Sequence, residues 1–169
     1  MKTRFQENKT KSILLGSKNL ILIFAAIFSF LSCSNNDDEP FTPVNIEYEL
    51  IGIGMLRGAG SEDILPGNYV INSQVDWLEL LNKMNSFDSN TTNEFTTTNI
   101  NFQTHIVIAV FDELRGNPGW LIEIASIIEN ENNVVIDVIN LNPGSIQSAM
   151  RQPYQIVRIP ITNKPILFE

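Results

Sequence analysis

From residue 44 onward, short apolar runs alternate with polar stretches at two different periods. Val44-Asn45-Ile46-Glu47-Tyr48-Glu49-Leu50-Ile51 is apolar at nearly every second position, which predicts a strand with one wet face. Tyr69-Val70-Ile71-Asn72 predicts a second, shorter strand. Ser73-Gln74-Val75-Asp76 reads as a helix start, with Ser73 as N-cap and an acid three residues later. Trp77, Leu80, Leu81 and Met84 follow at i, i+3, i+4 and i+7, the stripe of an amphipathic helix with Trp77 in the core. Residues 85–101 are rich in Asn, Thr and Ser and predict a long surface loop. Ile106-Val107-Ile108-Ala109-Val110-Phe111 is apolar throughout, as expected of a central strand buried on both faces. Trp120 to Ile128 and Val134 to Ile139 flank the turn Glu129-Asn130-Glu131-Asn132-Asn133 and predict a hairpin. Tyr154 to Ile159 alternates, and Ile166-Leu167-Phe168 predicts a last short strand. Six or seven strands with one helix predict an α+β fold, a mainly antiparallel β-sheet with one packed amphipathic helix. A β-sandwich is the alternative.

The chain before this domain has a different character. The apolar run from Leu20 to Leu31 is shorter than the roughly 20 residues that span a bilayer. Lys2, Arg4, Lys9, Lys11 and Lys18 precede it against a single Glu7, and small residues follow, so residues 1–32 read as a secretory signal peptide. Phe30-Leu31-Ser32-Cys33 resembles the lipobox of bacterial lipoproteins, in which the Cys is acylated and becomes the mature N-terminus. The resemblance implies lipidation at Cys33 and a partner in the lipid bilayer, since each buried acyl methylene adds about 0.8 kcal/mol. Residues 33–43, with Asp37-Asp38-Glu39-Pro40, form an acidic, proline-punctuated tether. Acidic residues just after a lipidated Cys resemble the export signal of some Gram-negative surface lipoproteins. The expected location is the outer membrane, lipid-anchored, on its surface or periplasmic face. Residues 44–169 form one globular domain.

Composition narrows the chemistry. The 169 residues include 11 basic and 19 acidic ones, a net charge of −8, which argues against nucleic acid as a partner. One Cys and one His exclude a disulfide scaffold and sites that need two imidazoles. Gly52, Gly54, Gly58 and Gly60 lack the spacing of a dinucleotide fingerprint and read as turns and bulges. No Gly-x-Ser-x-Gly elbow is present, and His105 reads as a strand-edge residue. Asp112 and Glu113 read as strand neighbours that point to opposite faces, which keeps them from acting as an acid pair. The residues therefore suggest no catalytic group, no cofactor and no metal ligand set.

Two stretches read as recognition loops. Leu114-Arg115-Gly116-Asn117-Pro118-Gly119-Trp120 joins two predicted strands, with glycines for turning and Pro118 stiffening the tip. Arg115 and Trp120 are residue types that often anchor interfaces, although Trp120 also suits a buried strand start. Met150-Arg151-Gln152-Pro153-Tyr154 precedes the alternating strand, with Tyr154 suited to the core or to contact. Arg115, Asn117, Pro118 and Trp120, then Arg151 and Tyr154, are the candidate partner-binding residues.

The order of a strand, a Gly-Trp turn, a long hairpin and Pro153-Tyr154-Gln155-Ile156-Val157-Arg158-Ile159 resembles the C-terminal domain of the protease-complex subunit (PrcB-like) family. Asp76-Trp77 opening a helix is part of the same likeness, which covers roughly residues 68–168. Asn117-Pro118-Gly119-Trp120 stands where that family has Thr-Gly-Gly-Tyr. The family is named for a lipoprotein that accompanies an extracellular protease. The resemblance thus implies a non-catalytic accessory module with a protein partner such as a secreted protease. Asn117 to Trp120 with Arg151 to Tyr154 also resembles, more distantly, the inhibitory loops of chagasin-type cysteine-protease inhibitors. A small-ligand or glycan-binding lipoprotein is the remaining alternative.

Overall fold

The apolar segment 106–111 sits at the centre of the molecule. In the computed structural model, which describes residues 40–169, it belongs to a strand with both faces covered. The expected signal peptide, its Cys33 and most of the expected acidic tether lie outside the described residues. The elements run β1 (Val44–Asn45), β2 (Glu49–Leu56), β3 (Gly67–Ile71), α1 (Gln74–Met84), β4 (His105–Phe111), β5 (Leu121–Glu129), β6 (Val134–Leu141), β7 (Gln152–Pro160) and β8 (Ile166–Phe168). They form two four-stranded sheets, ordered β2-β7-β4-β3 and β1-β5-β6-β8. All pairings are antiparallel except β6 with β8.

Two apolar clusters lie on opposite faces of the first sheet. On one face Trp77, Leu81 and Met84 of α1 pack with Ile51, Leu56, Ile71, Val107, Ala109, Phe111, Tyr154 and Ile156. On the other, Ile106, Ile108, Val110, Val157 and Ile159 meet Ile122, Ile124, Ile127, Val134 and Ile136 of the second sheet. Successive residues of β4 from Ile106 to Phe111 serve the two cores in turn, which is why that stretch carries no polar position. The result is helix, sheet, sheet: the expected helix-backed sheet and the alternative sandwich share the same central sheet.

The helix begins as its sequence predicts. Ser73 is extended, and its Oγ accepts from the Asp76 amide at 3.2 Å. Trp77 is fully buried, and its indole N–H donates to the Thr98 carbonyl at 2.8 Å. That bond fastens the 85–101 loop over the helix, and Phe95 from the same loop stacks on Trp77.

The structure refines the sequence reading at three places. Among the described residues there are eight strands, not six or seven, because the predicted strand 44–51 is two. β1 pairs with β5 in one sheet, β2 with β7 in the other, and the chain changes sheets at residues 46–48. Ile46 donates its amide to Ile127 and Tyr48 its hydroxyl to Ile124, so the crossing stays tied to β5. Gly52 and Gly54 lie inside β2, with a bulge beside Gly52, rather than in turns. A Cβ at Gly52 would come within 2.4 Å of the Phe95 ring, and one at Gly54 within 3.0 Å of the Tyr154 hydroxyl. The alternating strand around Tyr154 has no wet face. Gln155 is buried because its side-chain oxygen accepts from the Ile124 amide, at a register shift of β5.

Candidate functional site

β4 ends at Phe111, and the next four residues build a charged knot. Asp112 is 5% exposed. Its carboxylate accepts from Arg115 Nε at 2.7 Å and Nη2 at 2.8 Å, a bidentate pair. Asn140 Nδ2 at 3.0 Å and the Glu113 amide at 2.8 Å complete the set. Glu113 reaches round to Arg115 Nη1 at 2.6 Å. The hydrogen bond and charge of Asp112 raise the guanidinium pKa above its ordinary value, against the opposing effect of burial. The expectation that Asp112 and Glu113 point apart is corrected here: strand alternation stops at Phe111, so both carboxylates converge on one cation.

With Nε, Nη1 and Nη2 all engaged, Arg115 is a brace. Its guanidinium carbon sits 4.0 Å from the centroid of the Trp120 ring, a cation–π stack. Trp120 is half-buried. Asn117 Oδ1 accepts from the Gly119 amide at 2.9 Å, closing the tip across Pro118, which is half-buried. Gly119 is buried against the 142–151 loop: a Cβ there would stand 2.4 Å from the Gly144 carbonyl carbon. The Ala149 amide donates to Gly116 at 3.2 Å, and Arg115 and Arg151 exchange backbone bonds at 2.7 and 2.9 Å. The turn and the loop are thereby stitched into one rim. Leu114, Ile146 and Met150 are exposed along it.

The six sequence candidates divide. Arg115, Asn117, Pro118 and Trp120 form one structured turn, and Arg151 joins it through the backbone bridge. Tyr154 does not. It is 5% exposed, its ring against Phe95 and Phe111 at centroid distances of 6.2 and 6.0 Å. Burial is the main cause that pushes its hydroxyl up to about 12, with Glu94 adding and Arg57 opposing. Pro153 is buried beside it, so of this second stretch only Met150 and Arg151 reach the rim. His105 opens β4, half-buried, with Nδ1 2.8 Å from the Thr104 hydroxyl. Among the described residues, no three His, Cys, Asp or Glu side chains gather into a metal-sized group.

Sequence reasoning missed the acid under the turn. The Asp112 to Arg115 spacing is local and could have been read as an ion pair. Asn140 sends no such signal, since it arrives from 28 residues away. No family model, curated protein or solved structure matches the chain.

Proposed function

We propose that this chain is an outer-membrane lipoprotein, anchored through acylated Cys33, whose domain is a non-catalytic accessory module that binds another protein. The PrcB-like resemblance makes a secreted or surface protease the partner to try first. The observation that supports this reading most is the braced turn. Arg115 is held by a buried carboxylate, stacks on a half-buried Trp120, and lies beside exposed Leu114 and Met150. A rigid aromatic with apolar neighbours suits an interface hot spot, because little side-chain entropy is lost on binding. Arg115, held through all three of its nitrogens, positions Trp120 and leaves the ring and the apolar rim to make contact.

The test is affinity capture from envelope and secreted extracts, with the full-length lipoprotein as bait and Trp120→Ala in parallel. One stoichiometric partner, kept by the natural chain and lost by the variant, is expected. A variant that stays folded by circular dichroism and still holds the same partner overturns the site. Stoichiometric inhibition of a papain-type protease by the purified chain would replace the accessory reading with an inhibitory one.

A further inference from the structure

The four sheet edges are not equally protected. β1 has two residues and β8 three. The edge of β2 is capped: Thr96 donates its amide to Ile51 at 2.9 Å and its hydroxyl to Leu50 at 2.7 Å. β3 runs for five residues and, among the described residues, pairs only with β4 and forms no other backbone hydrogen bond. Its sequence, Gly67-Asn68-Tyr69-Val70-Ile71, carries no charge, and no proline lies within it. Natural edge strands usually carry such devices against unwanted pairing. Tyr69 and Val70 are exposed on this edge.

A groove flanks β3 on each face. On the helix side, β3, α1 and the preceding loop enclose about 490 Å³, with Leu65, Ile71 and Leu80 on the walls. Its rim carries Asp63, Asp76 and Glu79 against Lys83 alone. Lys83 is shared between Asp63 and Glu79 at 3.9 and 3.7 Å, so negative charge is left over. On the other face, Val70, Ile106, Ile161 and Ile166 help line about 460 Å³ between the central sheet and the 161–166 segment.

We propose that the outer edge of β3 takes an extended segment of another protein, alternating basic and aliphatic residues, as a fifth strand of the central sheet. A paired strand sends successive side chains to opposite faces. One set enters the acidic groove, where a Lys or Arg lays its stem on Leu65 and Leu80 and its head among Asp63, Asp76 and Glu79. The other set enters the second groove, where an aliphatic side chain meets Val70, Ile106 and Ile166. Main-chain hydrogen bonds to β3 hold the segment, and the two grooves read its alternation. This site is separate from the braced turn and goes beyond the function proposed above.

The experiment uses the full chain in non-ionic detergent and labelled, capped hexapeptides, with affinity read by fluorescence anisotropy. The alternating Lys/Ile peptide should bind at least tenfold more tightly than the alternating Glu/Ile peptide. Glu79→Lys and Asp63→Asn change exposed side chains and should weaken the Lys/Ile peptide at least fivefold each, with unchanged Tm. N-methylation of the alternate amides that face β3 should abolish binding, and methylation of the other set should leave it intact. Trp120→Ala should leave it intact too, which separates failure here from failure at the braced turn. Equal binding of the two peptides overturns the proposal, as does indifference to both methylation patterns. Self-association of the chain that excludes the peptide also overturns it, in favour of a second copy at the same edge.

Discussion

Asp112 and Arg115 offer the sharpest test of the braced turn. Asp112→Ala removes four hydrogen-bond acceptor contacts at once, from Arg115 Nε and Nη2, Asn140 and the Glu113 amide. Losing one partner of a fully buried pair costs about 3–5 kcal/mol. Here the Arg115 side chain keeps 16% of its exposure and retains Glu113, which discounts the loss to about 2–3 kcal/mol. Arg115→Met preserves most of the stem but takes the guanidinium off Trp120 and strands the buried carboxylate, at a similar cost of about 2–3 kcal/mol. The double variant leaves no buried charge unpaired, only the exposed Glu113, so its loss should be about 3 kcal/mol rather than the sum, a coupling of about 2 kcal/mol. Urea unfolding of residues 41–169, followed by circular dichroism, measures all three. Losses of the double variant within about 0.5 kcal/mol of the sum of the single ones would show the two side chains to be independent and refute the brace.

Gly119→Ala should separate the turn from the 142–151 loop, because its Cβ meets Gly144 backbone and not a movable side chain. A loss of about 1–3 kcal/mol and faster hydrogen exchange at the Ala149 amide are expected; natural exchange rates there would disprove the contact. Tyr154 should titrate near 12 in an ultraviolet pH titration. The unfolded chain releases that proton near 10.0 and the folded chain holds it to about 12, so stability falls as pH rises through this window. Glu49, hydrogen-bonded by Arg158 at 2.6 Å, should titrate below its ordinary 4.5, and Arg158→Met should return it there in a carbon-detected NMR titration. The stabilising effect of that pair is present above the unfolded value and is lost as pH falls through the folded one.

What the sequence made legible was local. The helix announces itself because Ser73, Asp76 and the Trp77 stripe interact within a few residues. β4 does so because burial on both faces excludes polar residues from Ile106 to Phe111. The sheet change at residues 46–48 leaves no mark: Ile46 alternates correctly for one strand while its neighbours belong to two. Gln155 misleads for a related reason. Its polar side chain signals water, yet its partner is an amide 31 residues away in the other sheet. The candidate turn stands between these cases. Its residue types and its Gly and Pro punctuation read as a recognition loop, and the structure has a turn there with Leu114 and Gly116 exposed and Trp120 half-buried. What holds it, however, is Asn140, Gly144 and Arg151, supplied by segments that sequence order separates from it. Tyr154 follows Arg151 by three residues in the stretch that reads as a recognition loop. Strand alternation separates them in space: by Tyr154 the chain is in β7, with that ring turned into the helix-side core. The open edge of β3 left no trace in the composition, since an edge is defined by which neighbour a strand lacks. Its uncharged sequence gains meaning once the order β2-β7-β4-β3 leaves it outermost with a groove on either face.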